Sequence, residues 1–237
     1  MISTELCLYE IDLELNKLSS FDSQSIPVED KLIALNNAQV EAVLSKVDIN
    51  NMYHIGLDGF RRRYEDLQIL IVPHKSIPAT TSDLTDKYIS DLTKLPSKYL
   101  LPVEIFITAD KSPCIGRSLS VNIIPHSDLH IRLNNTNYRP SFEWQETIAT
   151  ISNNTLEIWT DGTFTPTASF VSYLTYPVPF DYPGYINLDN QESVLSDSNL
   201  PEYMKNEIIS IAVRQLAANT ANQLVYQTAV QDQVKNN

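Results

Sequence analysis

The stretch Ser198–Gln233, SNLPEYMKNEIISIAVRQLAANTANQLVYQTAVQDQ, decides how the rest of this 237-residue chain is organised. Ser198 or Asn199 stands where a side chain can cap the first helical amides. Pro201 occupies a first-turn position that needs no donor, and Glu202 faces the positive end of the dipole. Met204, Ile208, Ile211, Ala212 and Leu216 follow at steps of three and four, with Ile209 and Val213 widening the stripe, so a helix with one face in a core is expected. Beyond Arg214 no charged residue occurs before Asp232. Leu224, Val225, Tyr226 and Val230 are the large apolar side chains of that neutral tail, and an isolated helix of this kind is marginal without packing. The expected division is that Leu200 to about Ala217 closes the subunit's own core. From Ala218 onward the tail is then buried against another subunit, with Leu216, Leu224, Val225, Tyr226 and Val230 as the candidate interface. The alternative is a frayed terminus.

Working outward, Leu8, Ile11, Leu15 and Leu18 share one face of a helix expected over Thr4–Leu18, with acidic residues toward its start. A second amphipathic run after Pro27 carries Leu32, Leu35, Ala38 or Gln39, Ala42 and Val43. Phe60, Tyr64, Leu67 and Ile71 give a third, shorter helix ended by Pro73, although Ile69, Ile71 and Val72 also suit a strand. From His74 to Pro102 the chain turns to Ser, Thr, Pro and Asp, with a short helix expected around Asp83–Leu95. The period then switches to alternation: Val103, Ile105, Ile107; Leu119, Val121, Ile123; Leu129, Ile131, Leu133. Ile148–Ile151 and Leu156–Trp159 flank the turn Ser152-Asn153-Asn154-Thr155, and Asp161-Gly162 marks a turn before a strand over Ala168–Tyr176. The fold class is α+β: N-terminal helices (1–95) packed with a long C-terminal helix that follows an acidic loop (187–237), and an inserted antiparallel β-sheet or sandwich (96–186), with six strands.

Lys plus Arg number 17 against 29 for Asp plus Glu, a formal charge of −12 and a pI near 4.7. That balance opposes sequence-independent binding to nucleic acid or to an anionic membrane. No apolar run approaches the length of a membrane span, and the N-terminus lacks a basic region followed by a cleavable apolar run, so a cytosolic product is expected. Cys7 and Cys114 fall in different segments and imply neither a disulfide framework nor a zinc cluster. His126, Asp128 and His130 would share a face of a strand, as an open metal site could; the plainer reading is a polar strand face. With five glycines there is no phosphate-cradling loop or dinucleotide fingerprint, and no nucleophile elbow, so neither a cofactor nor an enzymatic activity is expected. Arg61, Arg62 and Arg63 are the one basic cluster; they could meet DNA phosphate or an acidic partner, or pair at i,i+4 with Glu65 and Asp66. The aromatics Trp159, Tyr173, Tyr176, Phe180, Tyr182 and Tyr185 could form a sugar-stacking platform, or fill a core and subunit contacts.

The opening Leu6-Cys7-Leu8-Tyr9-Glu10 with Asn16-Lys17-Leu18, then Leu35-Asn36-Asn37-Ala38-Gln39, Arg63-Tyr64-Glu65-Asp66-Leu67-Gln68, Ser172-Tyr173-Leu174-Thr175-Tyr176-Pro177 and Leu200-Pro201 to Asn219 carry a resemblance over nearly the whole chain. In this layout the chain resembles the ring-forming head-to-tail connector (adaptor) proteins of tailed bacteriophages, most closely the ring proteins of crAss-like podoviruses. The resemblance implies a structural virion protein. It would form a homo-oligomeric ring, typically twelvefold, that joins the capsid portal to other connector or tail proteins and extends the channel through which DNA passes without specific binding. The strand region is long for an adaptor and is expected to dock another ring or a tail component. A carbohydrate- or receptor-binding module using residues 96–186 is the second expectation, and a metal-dependent hydrolase at His126, Asp128 and His130 the third.

Overall fold

The computed structural model describes residues 1–16, 26–47, 65–82, 86–185 and 192–219. They form two compact units, Leu70–Tyr176 and, from the two ends of the chain, Met1–Ile69 with Pro177–Asn237.

The unit built from the chain ends is helical, with α1 over Thr4–Asn16, α2 over Val28–Val47 and a C-terminal helix over Lys205–Asn219, α4 in chain order. Both α1 and α2 pack on α4, as the apolar stripes demand. Met204, Ile208, Ile211, Ala212, Leu216 and Ala217 of the C-terminal segment are buried, as are Leu32, Leu35, Ala38, Ala42 and Val43 of α2 and Cys7, Leu8 and Ile11 of α1. Each large aliphatic side chain so buried contributes about 1.5–3 kcal/mol, and the alanines let the helix axes approach.

The start of α4 differs from the expected cap. Ser198 reaches no helical amide: its own amide and carbonyl exchange hydrogen bonds with Ile2 at 3.2 and 3.0 Å, and its hydroxyl donates to Gln39 Oε1 and accepts the Leu200 amide, ahead of the helix. Asn199 Oδ1 accepts from the Val178 amide. The helix instead opens with a 3₁₀ turn, Glu202–Met204, that follows Pro201. The side chain that caps a helix here is Asp197, whose Oδ1 accepts the Thr4 amide at 2.8 Å, so the return loop closes the first turn of α1.

Residues 70–176 form one eight-stranded sheet in the order β1-β8-β4-β5-β6-β7-β3-β2. The strands are β1 (Ile71–Pro78), β2 (Thr80–Thr81), β3 (Lys87–Asp91), β4 (Tyr99–Lys111), β5 (Cys114–Ile123), β6 (Glu146–Ser152), β7 (Thr155–Trp159) and β8 (Thr165–Thr175). Ser90 Oγ of β3 and Ser169 Oγ of β8 meet at 2.7 Å although five pairings separate these strands in the sheet, so the sheet curls back on itself. Ile77, Ile105, Ile107, Leu119, Leu156, Ile158, Val171 and Tyr173 fill its interior.

Four expectations are corrected. The sheet is mixed: β5 and β6 run parallel. Parallel neighbours need a crossover, and residues 124–145 supply it. That crossover contains a helix, α3 (Leu129–Asn134), where alternation suggested a strand. Leu129, Ile131 and Leu133 do alternate, but Pro125 starts a 3₁₀ turn closed by the Asp128 amide on the Pro125 carbonyl, which leads directly into α3. Third, the sheet begins at Ile71 rather than after residue 95: β1 and β3 lie in the Ser, Thr and Pro-rich stretch, and Leu92–Lys94 is a single 3₁₀ turn capped by Asp91 rather than part of a helix. Fourth, regular strand structure in this unit ends at Thr175, so the β unit closes at Tyr176 rather than at residue 186.

The expected turns are present. Asn153 and Asn154 both take positive φ, 52° and 58°, the I′ geometry that suits the twist of the β6–β7 hairpin. At Gly162 (φ 75°) a Cβ would stand 2.9 Å from Asp86 Oδ1, so the Asp161-Gly162 turn requires glycine.

Candidate assembly surface

The helices of the chain-end unit are unequal in what they leave in water. Helix α4 exposes no apolar side chain among its described residues. It sits between the other two, and a helix apolar around much of its circumference has to be covered on every side. Helix α1 exposes Leu6, Tyr9 and Leu13 at 40, 62 and 45%, and helix α2 exposes Val28 at its first position and Ile33 and Leu44 further on, at 36, 58 and 39%. All but Val28 fall on one line along each helix. Leu6, Tyr9, Leu13 and Asn16 step by three, four and three; Ile33, Asn37, Val40 and Leu44 step by four, three and four. Both are seven-residue repeats with two seam positions each, the spacing by which one helix presents a narrow stripe to another.

Ion pairs along the edges of these stripes tie the helices into the unit. Lys205 Nζ reaches Glu10 Oε1 at 2.6 Å and Lys31 Nζ reaches Asp12 Oδ1 at 2.6 Å. Arg214 and Gln215 of α4 both bond the Glu41 carboxylate of α2. Deeper, Lys46 Nζ lies 3.2 Å from Asp66 Oδ2 and 3.0 Å from Glu207 Oε2, all three side chains being largely buried. The two seams are therefore carried on helices whose orientation is set by charge as well as by packing. Burial also pushes the Cys7 thiol, on the inner face of α1, up to about 12, with Glu10 adding to the shift. That keeps it protonated and inert.

Leu216, expected at an interface, is 5% exposed and belongs to the unit's own core. Leu224, Val225, Tyr226 and Val230 lie outside the described residues, as do Arg61, Arg62 and Arg63. Asp66, one of the carboxylates within helical reach of that cluster, is held by Lys46.

In the β unit the candidate metal residues do not converge. His126 and Asp128 sit in the 3₁₀ turn and His130 in α3, and among the described residues no group of three His, Cys, Asp or Glu side chains could hold a metal ion. His126 Nε2 instead lies 3.3 Å from the Ile151 carbonyl. The aromatic run does not make a platform either, because Tyr173 and Phe180 are fully buried. One stacked aromatic pair in the sheet is Phe106 on β4 with Phe170 on β8, at 4.9 Å and 7°. Its members belong to no expected site; only the cross-strand register brings them together.

Sequence reasoning named the buried stripe of each helix but not the seams on their outer faces. The signal was present: Leu6, Tyr9 and Leu13 keep α1 apolar on a side that the core stripe does not use.

No protein-family model matches the chain, and no curated protein sequence matches it. Among the described residues, no helix is long and apolar enough to cross a membrane.

Proposed function

We propose that the chain is a structural subunit that assembles into a closed homo-oligomeric ring, and that this ring is a layer of the head-to-tail connector of a tailed bacteriophage. The observation that carries the reading is the pair of heptad-spaced apolar seams left in water on α1 and α2. A monomer has no use for them, and a ring covers both. The finer arrangement follows: the N-terminal helices with the C-terminal helix form the wall between subunits, and the inserted β unit faces a neighbouring layer, the portal or a tail component. The net charge of −12 suits a conduit, since an acidic lumen repels DNA phosphate and lets the genome slide. The neutral tail with Leu224, Val225, Tyr226 and Val230 adds surface that the assembly buries.

The test is the mass and shape of the purified full chain. Native mass spectrometry and particle images should show one closed ring size, twelve copies by the resemblance, and gel retardation should show no DNA binding at moderate salt. Chain ending at residue 219 should remain folded and lose assembly. A protein that stays monomeric at every concentration, or that binds duplex DNA tightly, would overturn the proposal.

A further inference from the structure

We infer that a cleft in the β unit binds a small organic acid, with Lys98 and Asn154 taking its carboxylate and Leu95, Tyr99 and Tyr176 its apolar body.

The cleft encloses about 480 Å³, and every residue that lines it lies between Leu92 and Tyr176, so it is complete within one copy of the chain. That volume is in the range of small-molecule sites, which are concave, largely apolar and furnished with a few convergent polar groups. Separate parts of the sheet unit build it. Leu92 and Leu95, at the two ends of the 3₁₀ turn capped by Asp91, are buried and continue into the core of the sheet. The β6–β7 hairpin brings Asn154, whose carbonyl accepts the Leu92 amide at 2.9 Å. Lys98 and Tyr99 stand where β4 begins, and Tyr176 directly follows β8. These walls are pinned to one another. The hydroxyl of the fully buried Tyr173 accepts the Ser97 amide at 3.3 Å and lies 3.4 Å from the Ser97 carbonyl, and the Tyr176 amide donates to the Lys98 carbonyl at 3.4 Å. A cleft held by such bonds is formed before a ligand arrives, which lowers the ordering cost of binding.

The polar groups on its lining select the ligand. Among the described residues no carboxylate pairs with the Lys98 ammonium, which lies 4.7 Å from the centre of the Tyr176 ring. Neither the Asn154 carboxamide nor the Tyr99 hydroxyl makes a hydrogen bond there. Burial pushes the Tyr99 phenol up to about 12, so it remains a proton donor through the neutral range. No acid lines the cleft, although Asp and Glu outnumber Lys and Arg by 29 to 17 in the chain. The adjacent Asp91 commits its Oδ1 to the amide and hydroxyl of Thr93. Free donors beside an apolar floor suit an anion attached to a hydrocarbon: the carboxylate takes charge-assisted hydrogen bonds, and the body covers leucine and tyrosine surface. An exposed cation–π contact such as that of Lys98 is weak and yields readily to a carboxylate.

The experiment titrates naphthalene-2-acetate and its neutral amide onto the full chain, read by calorimetry and by saturation transfer to the ligand. The acid should bind, and the amide at least about tenfold more weakly, because a charge-assisted bond is lost. Lys98→Met, which keeps an unbranched side chain, should weaken the acid by about tenfold or more and leave the amide unchanged. Lys98→Arg should restore the acid, and Tyr176→Ala should weaken acid and amide alike. Because Lys98 is exposed, the urea midpoint of Lys98→Met should match that of the native chain. No binding of the acid up to millimolar concentration overturns the inference. Equal affinity of the native chain for acid and amide, or an acid affinity indifferent to Lys98→Met, overturns it as well.

Discussion

Replacing Lys46 with methionine tests whether the buried ionic group holds the helical unit together. Its ammonium serves two carboxylates, Asp66 at 3.2 Å and Glu207 at 3.0 Å, contributed by separate segments of the chain. At an effective dielectric of about 20, each contact is worth roughly 5 kcal/mol of Coulomb energy, most of which the desolvation of the three groups offsets. Methionine fills nearly the same volume but leaves the two acids facing each other with no counter-charge. Breaking a buried pair from one side costs about 3–5 kcal/mol. Glu207 is already short of partners, since its Oε1 makes no hydrogen bond, so no neighbouring donor is in place to absorb the change. In a chain of this size the cost corresponds to a fall of roughly 6–20 °C in the melting temperature of the cooperative unit concerned. The two units allow a built-in control. Both tryptophans, Trp144 and Trp159, lie in residues 70–176, so their fluorescence follows the sheet, while far-UV ellipticity follows the helices. Lys46→Met should lower the ellipticity midpoint in urea and move the fluorescence midpoint less. Adding Glu207→Gln to that variant should return about 1 kcal/mol or more, because one buried charge is gone. A loss below about 1 kcal/mol for Lys46→Met, or a further loss on adding Glu207→Gln, would refute the assignment of this group as a structural clamp.

Three further outcomes are expected. Burial alone would raise the Glu157 carboxyl, but hydrogen bonds from Lys87, Ser152 and Thr150 outweigh it and hold the group below its ordinary 4.5. A depressed carboxyl contributes stability above its unfolded value and loses it as pH falls through the folded one. The stability gap between the native chain and Glu157→Gln, read by tryptophan fluorescence in urea, should therefore be full at neutral pH and shrink as pH drops below about 4.5. Asn154→Ala forces a Cβ-bearing residue with no local side-chain compensation into the left-handed region and should weaken the sheet unit by about 1 kcal/mol in the same assay. A thiol reagent at pH 8 should label one cysteine in the native protein, the exposed Cys114, and two after denaturation; rapid native labelling of Cys7 would contradict its burial.

Where a residue's neighbours in sequence decide its conformation, the chain was legible. The Asn153-Asn154 hairpin follows from two residues that tolerate positive φ between two β-branched runs. The buried stripes of α2 and α4 follow from their 3.6-residue period. Where the decision is tertiary, it was not. Leu129, Ile131 and Leu133 alternate, yet five residues of alternation on a surface segment fit a short helix equally well, and Ile131 is exposed in either case. Strands β1 and β3 are too polar to stand out, because Pro73, His74, Lys75, Ser76 and Pro78 interrupt the apolar residues of β1, and Lys87, Ser90 and Asp91 flank the Tyr88-Ile89 pair of β3. They are strands because β8 and β7 offer them open edges.

The outer seams show a different limit. Helix α1 is apolar at 6, 7, 8, 9, 11, 13 and 15, which blurs its period, and searching for one stripe finds the inner one and discards the remainder as noise. Yet a helix with apolar residues on most of its circumference needs cover on more than one side. Helix α4 satisfies that need within the chain by lying between its two neighbours, and its outer positions are Asn206, Ser210 and Arg214. Helices α1 and α2 stand at the outside of the same unit and do not become polar there. The contrast between a central helix whose described apolar side chains are all covered and flanking helices whose are not is the observation on which the proposed assembly rests.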